Sequence, residues 1–235
     1  MSQIAVGPAT PARKASPAHA AIPALILPAT LRRFGVFSAL ATAIAYTVFL
    51  LSFFANSASL LPIPWDQIVA IGASLLIAPS FVLLMVAIHY ATPESRRMWT
   101  LGAIAFGILY AAFVSTVYVT LLFVVEPHVV NGTQSAVAPF LFAKGTFVQM
   151  LDGLGYSYMS LAVCLTAPVF AGGRLARSLR WLAMLSGPAA IGVLTSYYLY
   201  SFPFALLGIG SFLVPAYAWL MVAYFRRARV GEASE

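Results

Sequence analysis

Residues 67–99 read QIVAIGASLLIAPSFVLLMVAIHYATPESRRMW, an apolar run over 67–91 without an acid, lysine or arginine, then a short polar turn with Arg96 and Arg97 ahead of Trp99. A helix of about 20 such residues spans the hydrocarbon core of a bilayer. The run is therefore long enough to cross, and the turn ends it with two cations at the place where a chain leaves the lipid.

Five further runs of the same kind flank it, at about 35–56, 99–125, 148–171, 180–200 and 203–225. Over the 235 residues, 62% are hydrophobic and 8% charged, against roughly 45–50% and about 25% in soluble domains. A surface that faces water needs charges this chain lacks, whereas a surface that faces lipid needs none. The expected fold class is an all-α integral membrane protein, a bundle of about six transmembrane helices over 35–225, with no room for a separate soluble domain.

The cations set the orientation. Arg13, Lys14, Arg32 and Arg33 precede the first run; Arg96 and Arg97 separate the second from the third; Arg174, Arg177 and Arg180 separate the fourth from the fifth; Arg226, Arg227 and Arg229 follow the sixth. Lys144 is the thirteenth and stands alone on the other side. Cations collect on the cytoplasmic side of a membrane, so both tails are expected there. An even number of crossings is the only way to keep the other twelve together. Trp65, Trp99 and Trp181 fall near run ends, where amphipathic rings anchor at the interface. The formal charge of +7 is accounted for by these clusters, whose expected partner is the anionic headgroup layer and not nucleic acid.

The first 34 residues hold five prolines, many alanines and no acid, and read as a disordered cytoplasmic tail. Pro23 and Pro28 interrupt the one stretch that resembles a signal peptide, and arginines follow where small residues mark cleavage. An acid-poor, alanine-rich start is also shared with organelle transit peptides, although strong arginine and serine enrichment is missing. A second short tail, 226–235, follows the last run.

Within the runs, Asp152 is the single acid, and an ionisable group at membrane depth costs several kcal/mol unless a partner or water meets it. At helical spacing Gln149, Asp152, Tyr156, Ser160 and Cys164 share one face. Tyr118 and Ser115 in the third run, Glu126 and His128 just beyond it, and Thr195, Ser196, Tyr197, Tyr198 and Tyr200 in the fifth fall at similar depth. Two readings stay open: helix capping with interfacial aromatics, or an outward-facing polar and aromatic cavity between the third, fourth and fifth runs. For the cavity, the candidate ligand-binding residues are Tyr118, Gln149, Asp152, Tyr156 and Tyr197. If the protein is an enzyme on a lipid or isoprenoid, Asp152 and Glu126 are the candidate catalytic residues.

Cys164 is the only cysteine, and His19, His89 and His128 are scattered, so neither a disulfide, a metal set nor a two-histidine haem site is expected. No cofactor motif occurs. Ala103, Gly107, Ala111 and Ser115 recur every fourth residue, a stripe that lets another helix approach closely, whether in the bundle or in a partner. Pro79, Pro168, Pro188 and Pro215 are expected to kink their helices. The apolar stretch 137–142 in the long loop after Glu126 reads as a lid on the bundle, a segment on the membrane, or an early start to the fourth helix. Asn131, Gly132 and Thr133 match a glycosylation pattern and equally an ordinary turn.

From about Trp99 to Trp181, through Leu151-Asp152-Gly153-Leu154-Gly155-Tyr156 and Ala167-Pro168-Val169-Phe170 before Gly172 and Gly173, the chain resembles uncharacterised multi-spanning bacterial membrane proteins. That resemblance implies a multi-pass protein of the bacterial cytoplasmic (inner) membrane and no particular activity. Three functions stay open: binding or helping to move a small lipophilic molecule, membrane-embedded catalysis, and a structural role in a larger complex.

Overall fold

In the computed structural model, residues 26–199 and 204–230 are described. The expected tail over 1–25, the turn at 201–203 with Tyr200, and 231–235 lie outside them. Helix dominates: α1 (Ala29–Ser57), α2 (Trp65–Tyr90), α3 (Arg97–Thr120), α4 (Glu126–Val130), α5 (Phe147–Leu165), α6 (Arg174–Leu199) and α7 (Phe204–Arg227). α1 packs on α2, α2 on α3, α3 on α5, α5 on α6, α6 on α7, and α7 returns to α1. Six long helices thus form a ring in chain order, with α4 a short extension beyond α3.

Among the described residues, Ala29–Ser57, Gln67–Tyr90 and the continuous stretch Glu94–Val130 are long and apolar enough to cross a membrane. The bundle's exterior is apolar too. Phe37 is 65% exposed, Leu101 60% and Ile191 66%, on three different helices. Exposed apolar surface on this scale is compatible with a membrane surround. α5 is shorter than the expected 148–171 because it stops at Leu165, ahead of Pro168, and a single 3-10 turn (Ala167–Val169) follows. Pro79, Pro188 and Pro215 lie inside helices. α6 opens with Arg174, Arg177 and Arg180, so its first turns are polar.

Helix three differs most from its expected form. Instead of ending at 125 it passes through a π turn (Leu121–Val125) into α4, with the Glu126 N–H bonded to the Leu121 carbonyl. Pro127 explains the change. It has no N–H to give to the preceding turn and its ring crowds that turn's carbonyl; a locally wider helix absorbs the defect.

The arginine end is tied together by side chains. Arg32 donates from Nε to the Phe225 carbonyl (3.3 Å) and from Nη2 to the Arg226 carbonyl (3.1 Å), two groups that the end of α7 leaves without helical donors. Arg96 Nη1 donates to the Pro168 carbonyl at 2.8 Å, joining the α2–α3 turn to the end of α5. Two short parallel strands, β1 (Ile26–Leu27) and β2 (Arg229–Val230), pair beside them. Residues 26–34, expected as tail, therefore carry a strand and the first turns of α1. The small-residue stripe is used within the chain: a methyl group added at Gly107 would sit 3.5 Å from Met85 and 3.6 Å from Phe81 of α2.

Candidate functional site

Helix α5 begins with a capping arrangement. Thr146 accepts from the Gln149 N–H (3.3 Å), and the Gln149 side-chain oxygen accepts from the Gly145 N–H (2.9 Å). This satisfies donors that a helix start leaves free. Gln149 is thereby turned to the loop, where it caps the helix, and is not among the residues that line the cavity.

One turn on, the sequence Asp152-Gly153-Leu154-Gly155-Tyr156 serves three neighbours at once. Asp152 is 1% exposed, and the Tyr197 hydroxyl of α6 donates to its Oδ2 at 2.9 Å. Gly153 makes that approach feasible: an added Cβ would stand 2.5 Å from the Tyr197 ring. Gly155 does the same for α3, where a Cβ would fall 2.8 Å from Val114. Tyr156 then meets Tyr118 of α3, hydroxyl to hydroxyl at 3.1 Å. The Tyr118 hydroxyl also interacts with the Asp152 carboxyl group, but outside good hydrogen-bond geometry, and Oδ1 is left with no partner among the described residues.

These residues form the wall of a cavity of about 800 Å³, within the range of small-molecule sites. Tyr118, Asp152, Tyr156 and Tyr197 line it, as does Glu126, which is 8% exposed. Ser160 lines it as well, with its hydroxyl bonded to the Tyr156 carbonyl. Of the expected polar stripe on α5, the middle three members therefore reach the cavity. Cys164 does not; it packs against Gly187 of α6, where an added Cβ would stand 2.9 Å from its sulfur. Ser115 and His128 also lie outside the lining. His128 bonds Thr133 at 2.8 Å, His89 bonds Thr100 at 2.8 Å, and Thr195 and Ser196 bond carbonyls of their own helix. Nothing is described of the Tyr198 and Tyr200 side chains.

The cavity is wider than one between α3, α5 and α6. Tyr46, Phe49, Phe53 and Phe54 of α1, Gln67 and Ile71 of α2 and Phe212 of α7 complete it. The α1 residues were legible as a pattern, since 46, 49, 50 and 53 fall on one helical face; an all-apolar helix hides that face among others. The π turn supplies Leu121 and Val125. From the loop, Phe142 lines the cavity and Val137 is buried, while Ala138, Pro139 and Phe140 between them stay exposed. Most of the lining comes from the part of each helix away from the arginines, and Met159 and Ser160 extend it past the middle of α5. Among the described residues, no group of three or more His, Cys, Asp or Glu stands close enough to hold a metal.

Fold and site together define a class: a helical protein with three helices long and apolar enough for a membrane, enclosing an aromatic cavity with a buried carboxyl group. Comparison with protein-family models, with curated proteins and with solved structures finds no match for this chain, so no family is shown.

Proposed function

We propose that this chain is a six-span membrane protein with both ends in the cytoplasm that binds, or helps to move, a small lipophilic molecule in the cavity around Asp152. The observation that carries this reading is a buried carboxyl group with one oxygen lacking a hydrogen bond, set in the wall of a largely apolar cavity rich in aromatic rings. A carboxyl group at such depth costs several kcal/mol, and a purely structural role asks for both oxygens to be satisfied by the protein. The remaining lining, rich in Phe, Tyr, Leu and Val, suits an apolar body. The arginine clusters, all at the opposite end, support a cytoplasmic location for that end and an outward-facing cavity.

The reading is tested by purifying the protein in mild detergent and identifying co-purifying small molecules by mass spectrometry, for the wild type and for Asp152→Asn. A compound retained by the wild type and depleted in the variant is expected. Equal, non-selective lipid in both samples overturns it.

A second reading, catalysis on a lipid or isoprenoid, is favoured by one observation: Glu126 lines the same cavity as Asp152, which gives two carboxyl groups for acid and base work. Asp152→Asn separates the two readings, because a general acid loses turnover while ligand is retained.

A further inference from the structure

The charge of the cavity wall narrows the ligand. The Asp152 carboxyl group lines the cavity, and among the described residues no lysine, arginine or histidine does. An anionic ligand would therefore enter a site of its own sign. A neutral ligand that carries no O–H or N–H would leave Asp152 Oδ1 buried without a hydrogen-bond donor, which is costly for the ionised group away from water.

A small metal cation suits the wall no better. Calcium takes six to eight oxygen ligands and magnesium keeps a shell of waters, whereas the described residues here offer no cluster of three acids, histidines or cysteines. What surrounds the carboxyl group instead is aromatic. Tyr118 and Tyr156 direct their hydroxyls at one another and Tyr197 directs its hydroxyl at Oδ2. These three hydroxyls are thus engaged, and the rings of the site, with Tyr46 and Phe49 of α1, are what remains to meet a ligand. Aromatic faces attract weakly hydrated cations, quaternary and tertiary ammonium groups above all. A single carboxylate beside such faces is the complement of that charge.

Resting on the reading of the cavity as a site for lipophilic molecules, we infer that its ligands are lipophilic organic cations. The ammonium head sits at Asp152 Oδ1 among the tyrosines, and the apolar body extends towards Phe53, Phe54 and Phe212. Those three phenylalanines are 54%, 53% and 52% exposed although they line the cavity, which marks the rim through which an apolar body reaches it. The placement of Arg32, Arg96, Arg174 and Arg226 at the far end of the bundle keeps fixed positive charge away from the head.

Three compounds of one shape test the inference on the full chain in phosphatidylcholine nanodiscs. Tritiated N,N-dibenzylmethylamine, an ammonium ion at neutral pH, is the probe. Dibenzyldimethylammonium and its neutral carbon counterpart, 2,2-dimethyl-1,3-diphenylpropane, are the competitors. Saturable binding of the amine is expected. The quaternary ion is expected to displace it at similar concentration, and the neutral compound only at a concentration about ten-fold or more higher, as a contact worth at least about 1.4 kcal/mol requires. Asp152→Asn keeps the shape and an acceptor for Tyr197, and is expected to weaken amine binding about ten-fold or more while the protein remains monodisperse. The comparison of charges is made on the wild type, so it holds even if the variant fails to fold. Displacement by the neutral compound as readily as by the quaternary ion overturns the cation and leaves a lipophilic site standing. Absence of saturable binding of the amine overturns the cation, and the co-purification comparison then decides whether a lipophilic site stands.

Discussion

The Tyr197 hydroxyl donates to Asp152 Oδ2 at 2.9 Å across the α5–α6 interface, and the residue after that aspartate, Gly153, is what lets the tyrosine ring come so close. The buried carboxyl group and helix packing are thus coupled in two adjacent residues of α5. Changes at either are expected to be felt at both.

Tyr197→Phe keeps the ring and removes the hydroxyl that donates to Oδ2. A buried acceptor left unmatched costs about 1–3 kcal/mol, so a loss of stability of that size is expected in denaturant titration of the protein in bicelles. Asp152→Asn, which retains an oxygen for Tyr197, is expected to cost less than Tyr197→Phe. The reverse order would show that the hydroxyl does not serve the carboxyl group.

Two glycine substitutions are expected to differ in sign. Gly153→Ala brings a methyl group to 2.5 Å from the Tyr197 ring, and overpacking of this kind costs about 1–3 kcal/mol. Gly192→Ala, on the helix that carries Tyr197, meets nothing within 4 Å, and replacing a helical glycine by alanine gains about 0.5–1 kcal/mol. Unfolding midpoints of the two variants against the wild type check the pair. A stabilised Gly153→Ala would contradict the close approach of α6.

Tyr118 and Tyr156 meet hydroxyl to hydroxyl at 3.1 Å, linking α3 to α5. A double-mutant cycle through Tyr118→Phe and Tyr156→Phe is expected to return a coupling of about 0.5–1.5 kcal/mol, the net worth of one neutral hydrogen bond. Strict additivity in the cycle would mean that the two hydroxyls act independently.

Topology is open to a direct check because Cys164 is the only native cysteine. In a Cys164→Ser background, Asn131→Cys lies in the exposed loop after α4 and Ser95→Cys in the exposed turn before α3. An impermeant thiol reagent added to intact cells is expected to label the first and to reach the second only after the membrane is opened. Labelling of Ser95→Cys from outside would invert the proposed orientation.

Some of this architecture could be read along the chain. Apolar runs bounded by arginines marked where the long helices lie, because a lipid-facing helix and its charged ends leave a one-dimensional trace. Asp152 stood out for the same reason, as did Tyr118, Tyr156 and Tyr197 at its depth. Periodicity placed Gln149 on the face of Asp152, but its side chain turns back to Gly145. A helix's first turn must satisfy its own N–H groups, and that local demand prevails over the face.

Patterns along the chain thus carry the helical class, the spacing of the arginine clusters and the one acid within the apolar runs. It takes the packed bundle to see that α7 closes on α1, that α1 brings Tyr46 and Phe49 to the cavity of Asp152, and that Pro127 is absorbed by a π turn that adds Leu121 and Val125 to the cavity wall. The difference lies in the range of each constraint. Hydrophobicity and charge act on a residue through the solvent around it and are visible locally. The opposite wall of a cavity is set by side-chain packing between helices more than a hundred residues apart, where every helix is apolar and no pattern says which one it will meet.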